Sequence, residues 1–168
     1  AMSPELISEL GTAIAEAERD ESVKVVVIAA KGKAFSAGAD LKALKGILAS
    51  SSELELDEFL HSAFKVFNAI EESSKPVICA VQGMALGGGC ELVNACDIVI
   101  ASEEARLGDQ HANFGLVPGG GNTQRLPRKV GAMRAKEIIL TGDWLSAAEA
   151  ERIGLVNKVA PGDQMEEE

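Results

Sequence analysis

The chain has 168 residues, 46% of them apolar against 25% charged, which suits one globular domain over 1–168 with enough apolar side chains for a buried core. Its 26 acidic and 16 basic residues leave a formal net charge of −10, which argues against binding to phosphate backbones or anionic membrane surfaces. No apolar run reaches the roughly 18 residues of a membrane span, the N-terminus lacks a basic-then-apolar leader profile, and Cys79, Cys90 and Cys96 are too few and too irregular for a disulfide framework or a metal site, so the reading is of a cytoplasmic, metal-free chain.

Ser3-Pro4 opens a capped helix whose apolar stripe is Leu6, Leu10, Ile14 and Ala17. Residues 23–30, VKVVVIAA, read as a strand buried on both faces of a parallel sheet. A polar loop follows over 31–40, and 41–57 is either a short helix or a mobile segment. A helix over 57–72 places Phe59, Leu60, Ala63, Val66, Phe67 and Ile70 on one face, and Lys75-Pro76 ends it before a second buried strand, VICAV at 77–81. QGMALGGG turns into a short helix, CELVNAC, and a third strand covers 97–102. A glycine-rich stretch at 115–121 and TQRLPRKVG precede a helix at about 131–140. Ser146 and Glu149 form a capping box for a helix that stops near Gly154, and LVNKV at 155–159 is a last strand. The EEE run at 166–168 reads as a solvated end. Alternating strands and helices imply α/β layers around a largely parallel sheet.

The glycines cluster at 32–38, 83–89 and 108–121, beside apolar segments, where they signal tight turns or close approach of the main chain to a ligand. They do not make a phosphate loop, because none is followed by Lys-Ser or Lys-Thr, nor a dinucleotide fingerprint, because the third glycine is absent at the required spacing. A serine hydrolase is also disfavoured. Ala34-Phe35-Ser36-Ala37-Gly38 is a near miss of GxSxG, but Asp109 and His111 lie two residues apart and no convincing helix follows Ser36. What survives is a repeated arrangement: VVVIAA before FSAGADL, and VICAV before ALGGGCEL, each a strand, a small-residue loop and a helix start. Unpaired N–H groups at two such starts can converge into an oxyanion hole. Glu91 follows the second loop and by itself reads as a solvated carboxylate at a helix start.

KAFSAGADLK at 33–42, KPVICAVQGMALGGGCELVNACDIVIAS at 75–102, PGGGNTQRLPRKVG at 118–131 and LTGDWLSAAEAERIGLVNKV at 140–159 together resemble the crotonase, or enoyl-CoA hydratase/isomerase, superfamily. The four motifs stand in family order and cover essentially the whole chain. The resemblance implies an α/β spiral of ββα units that binds an acyl-CoA thioester, with coenzyme A entering as part of the substrate and no permanently bound cofactor. It implies that Ala39 and Gly88 supply the oxyanion-hole N–H groups, and that Ala37, Ala39, Asp40, Leu41, Lys42 and Gly88 contact coenzyme A. Glu91 matches the first catalytic glutamate, which positions and deprotonates the attacking water. Twenty positions later, where two-glutamate hydratases carry the glutamate that protonates the α-carbon, this chain has His111, and the usual PGAGGTQRL reads PGGGNTQRL. Histidine titrates near neutrality and can deliver that proton, with Asp109 placed to orient it. Hydration of a 2-enoyl-CoA to a 3-hydroxyacyl-CoA is therefore expected. The alternatives are a CoA-thioester isomerase, decarboxylase or racemase-like enzyme of the same fold, or a non-catalytic acyl-CoA-binding member. The resemblance also implies that the chain lacks the family's first strand and C-terminal helices, and that it assembles as a homotrimer or a dimer of trimers. His61 reads as a surface residue, and Trp144 and Cys90 as core.

Overall fold

The structure, a computed structural model, describes residues 1–49 and 53–162. Residues 50–52 of the ambiguous segment and the 166–168 acidic run lie outside the described residues. Two four-stranded sheets form the frame. The first holds β1 (Val26–Ala29), β3 (Val77–Val81), β5 (Ile98–Ser102) and β8 (Lys158–Ala160), all parallel, in the order β1-β3-β5-β8. The second holds β2 (Ala34–Ser36), β4 (Met84–Leu86), β6 (Arg106–Gly108) and β7 (Leu145–Ser146), with β7 antiparallel to β6. The strands β1, β3 and β5 are each followed by a short partner in the second sheet and then by a helical segment. This produces the expected α/β spiral of ββα units.

Sequence and structure agree where the periodic signal is long. Ser3 caps α1 (Pro4–Arg19), its Oγ accepting the Leu6 N–H, with Pro4 at the first helical position where the missing N–H costs nothing. The helix α3 (Glu53–Glu71) buries Phe59, Ala63, Val66, Phe67 and Ile70, five of the six residues assigned to its inner face. The capping box forms as expected: Ser146 Oγ accepts the Glu149 N–H and the Glu149 carboxylate accepts the Ser146 N–H, opening α7 (Ala147–Arg152).

Four expectations need correction. The strand at 26–29 is not buried on both faces: β1 is a sheet edge, and Val27 is 60% exposed. In α1 the expected Ile14 is buried and Leu10 packs against the core, but Leu6 is exposed and Ile7 takes its place on the inner face. The stretch TQRLPRKV is helical, as α5 (Asn122–Val130), despite Pro127 in its interior. Trp144 is half exposed, because it precedes the edge strand β7 instead of entering the core. The remaining helices are α2 (Leu41–Ala49), α4 (Gly88–Ala95) and α6 (Ala132–Thr141). No helix among the described residues is long and apolar enough to cross a membrane.

Candidate active site

Two main-chain segments meet where the β2 and β4 loops enter α2 and α4. At the first, Met2 pairs with Ala39 in a parallel bridge: Met2 N–H donates to Gly38 O at 2.8 Å, and Asp40 N–H donates to Met2 O at 3.0 Å. A parallel bridge uses the groups flanking Ala39, so Ala39's own N–H points to the opposite side. At the second, Gly88 opens α4, where a first-turn N–H lies outside the helix's own ladder. The two approach closely because neither loop carries a side chain at the crossing. A Cβ built on Gly88 would collide with the Met2 methyl and stand 3.8 Å from Ala39 N, and one on Gly38 would stand 3.5 Å from Gly88 N.

One turn into α4, Glu91 is 3% exposed, so it is not the solvated carboxylate that its position alone suggested. Its Oε1 accepts the Gly120 N–H at 2.7 Å and the Asn122 N–H at 3.3 Å. The loop carrying these donors is itself held: Arg125 on α5, almost fully buried, donates through Nη1 to Gly120 O at 2.6 Å and through Nε to Glu71 of α3 at 2.8 Å. Burial raises the Glu91 pKa, against the opposing pull of the His111 charge and of the two N–H donors.

His111 begins a 3₁₀ turn, His111–Phe114, beyond β6. Its Nε2 lies 3.8 Å from Glu91 Oε2, an ion-pair separation too long for a hydrogen bond. Its Nδ1 lies 2.6 Å from Oδ1 of the fully buried Asp109. Burial works against the charged ring, yet the Asp109 hydrogen bond and the Asp109 and Glu91 charges prevail, and the His111 pKa is raised.

Ala39, Gly88, Glu91 and His111 line one cavity of about 170 Å³, whose apolar wall includes Phe59, Leu60, Phe67, Leu116 and Val117. An adjoining cavity of about 270 Å³ shares Ala39, Leu44, His111 and Leu116 with it and continues past Ala37, Leu41 and Lys45. Asp40 and Lys42 line neither. Asp40 instead caps α2, its Oδ1 accepting the Lys42 N–H at 2.7 Å and the Ala43 N–H at 3.2 Å. His61 is exposed and outside the cavity. Ser36 ends β2 instead of lying in a loop, and its Oγ accepts the Gly38 N–H at 3.3 Å. Cys90 is buried, and burial followed by the Asp109 charge pushes its thiol up to about 12. Sequence reasoning passed over Lys45 and the carboxylate-holding N–H groups of Gly120 and Asn122. Helical spacing from Leu41 could have found the lysine, whereas the N–H groups lie 29 and 31 residues from Glu91 and carry no local signal.

The family model for enoyl-CoA hydratase/isomerase matches residues 1–168. A probable enoyl-CoA hydratase of Rhizobium meliloti is 44% identical over 168 residues, 100% of this chain and 63% of the relative. A crotonyl-CoA hydratase of Syntrophomonas wolfei is 42% identical over 166 residues, 98% of this chain and 62% of the relative. Among solved structures, an enoyl-CoA hydratase from Bacillus anthracis superposes with a TM-score of 0.94 at 41% identity, over 99% of this chain and 63% of that one. The chain thus spans somewhat less than two thirds of the length of these relatives.

Proposed function

Because the chain belongs to the enoyl-CoA hydratase/isomerase family, we propose that it hydrates a 2-enoyl-CoA thioester to the 3-hydroxyacyl-CoA. The observation that carries this reading is the meeting of Glu91 and His111, 3.8 Å apart, in a cavity also lined by Ala39 and Gly88. The N–H groups of Ala39 and Gly88 hold the thioester oxygen and stabilise the enolate charge that builds as water adds to the β-carbon, each such donor contributing about 10²–10³ in rate. Glu91, ionised, takes the proton from that water as its oxygen bonds to the β-carbon. Protonated His111 returns a proton to the α-carbon through Nε2, so the product gains the elements of one water. Burial raises the Glu91 pKa, which strengthens it as a base, and against burial the Asp109 hydrogen bond and the Asp109 and Glu91 charges raise that of His111, which favours the protonated ring. The apolar wall receives the acyl chain. The adjoining cavity receives the start of the coenzyme A arm, with Lys45 offering positive charge, while Asp40 and Lys42 act through the α2 cap. A homotrimer or dimer of trimers belongs to the same reading, and exposed Met133 and Leu140 on α6 fit a surface covered by further copies.

The test is mass spectrometry of products from 2-enoyl-, 3-enoyl- and malonyl-type CoA thioesters incubated with the full-length protein in heavy-oxygen water. A labelled hydroxyacyl-CoA from the 2-enoyl substrates supports hydration. An unlabelled double-bond isomer, loss of carbon dioxide, labelled free acid with released CoA, or unchanged thioesters despite bound CoA would each overturn it.

A further inference from the structure

We infer that Asn122 is a positioning residue that ties the two reacting side chains to each other and sets which nitrogen of His111 exchanges the proton. The inference rests on the reading of Glu91 and His111 as base and acid. Asn122 contacts both arms of the site. Its backbone N–H donates to Glu91 Oε1 at 3.3 Å, and its side-chain Nδ2 donates to Asp109 Oδ2 at 2.8 Å. The other Asp109 oxygen faces His111 Nδ1 at 2.6 Å. The amide has one orientation available. Nδ2 donates to the Asp109 carboxylate, and the remaining Oδ1 accepts from Asn94 Nδ2 at 2.6 Å. Asn94 is one turn beyond Glu91 on α4, so the chain of bonds closes on the helix that carries the base. Asp109 and Asn122 are fully buried and Asn94 is 2% exposed, so solvent cannot readily replace these bonds.

The consequence is directional. With Asp109 anchored, His111 Nδ1 keeps its hydrogen and Nε2, facing Glu91, is the only nitrogen that gains and loses one. The charged or titratable groups facing the ring are Asp109 and Glu91, with Lys45 across the adjoining cavity and Cys90 behind Asp109.

Two variants of the full-length protein test this, read by ¹⁵N NMR of the His111 ring and by kcat and KM across pH. In Asp109→Asn the new amide must turn its oxygen to Asn122 Nδ2, which places its NH₂ against His111 Nδ1. The ring then carries its hydrogen on Nε2 when neutral, its pKa falls, and kcat drops by about 100-fold or more with KM nearly constant. The weaker 3.2 Å bond from the His111 N–H pulls the amide the other way, so the outcome depends on Asn122. In Asp109→Asn combined with Asn122→Gly, which keeps the N–H to Glu91, that amide is free to turn. The Nδ1–H form returns and part of the lost kcat with it. An unchanged Nδ1–H form in the single variant, or a double variant with the single variant's tautomer, would overturn the inference. The ring spectra decide this even if no hydration is found, so failure of the hydratase reading is distinguishable from failure of the positioning role. If the double variant does not fold, Asn122→Gly alone serves: with the 2.8 Å bond to Asp109 Oδ2 lost, a shifted His111 pKa or ring ¹⁵N signal with the hydrogen still on Nδ1 supports the inference, and a native spectrum and pKa refute it.

Discussion

Replacing Glu91 by glutamine changes one atom of the site and should separate chemistry from packing. The carboxylate is 3% exposed, and a glutamine Oε1 can still accept the Gly120 and Asn122 N–H groups at 2.7 and 3.3 Å. The lost ion pair with His111 is 3.8 Å long and not hydrogen-bonded, and the lost buried charge is one that burial already disfavours. These effects oppose each other, so stability should stay within about 1 kcal/mol of native. Catalysis has no such compensation. An amide cannot accept the proton of the attacking water, and loss of a general base costs about 10²–10⁴ in rate, or roughly 3–5 kcal/mol of transition-state stabilisation. The assay is the disappearance of conjugated enoyl-thioester absorbance, with isothermal titration of a CoA thioester as the control for binding. We expect kcat to fall by that factor while binding holds. A variant within tenfold of native turnover, or a loss carried entirely by KM, would refute the assignment of Glu91 as the base.

Three further outcomes follow from the same geometry. Gly89→Ala should destabilise the fold by about 1–3 kcal/mol in a denaturant titration, because its Cβ would stand 2.8 Å from the Ser36 Cβ and collide with the Ser36 carbonyl, where α4 packs on β2. The raised His111 pKa means the folded state holds its proton more tightly than the unfolded chain. The stability this contributes is fully present below about pH 6.5 and is lost as pH rises through the folded value. The difference in melting temperature between native and His111→Gln proteins should therefore narrow above that pH, and a constant difference would contradict the pairing. Cys79, Cys90 and Cys96 are buried, and burial holds the Cys90 thiol up at about 12. An aromatic disulfide reagent should detect none of these three thiols in the native state and all three after unfolding.

Much of the frame is legible from the sequence because its elements are long enough to carry a period. The continuous apolar run of Val77–Val81 marks a buried strand, and the apolar face of Glu53–Glu71 follows from the helix repeat. The second sheet does not announce itself. Its strands are two or three residues long and sit beside glycines, so no alternation develops, and 34–36, 84–86 and 106–108 read as loop. Asn122–Val130 is hidden by Pro127, a residue that normally ends a helix. At the site, the small-residue loops around Ala39 and Gly88 and the acidic residue after them are visible locally. The burial of Glu91 is not, because it comes from α3 and from the 119–121 loop that Arg125 holds in place. Asp40 shows the opposite case: its position beside Ala39 suggests a ligand contact, while its carboxylate is spent on capping the next helix.

In the proposed reaction Ala39 and Gly88 hold the thioester oxygen while Glu91 and His111 work on the adjacent carbons. A crystal structure of the full-length protein with a bound 3-hydroxyacyl-CoA tests it most directly. The thioester oxygen should lie about 2.7–3.1 Å from both the Ala39 and Gly88 nitrogens, with the 3-hydroxyl against Glu91 and the α-carbon facing His111 Nε2. A thioester oxygen that contacts neither nitrogen, or a 3-hydroxyl turned away from Glu91, would contradict it.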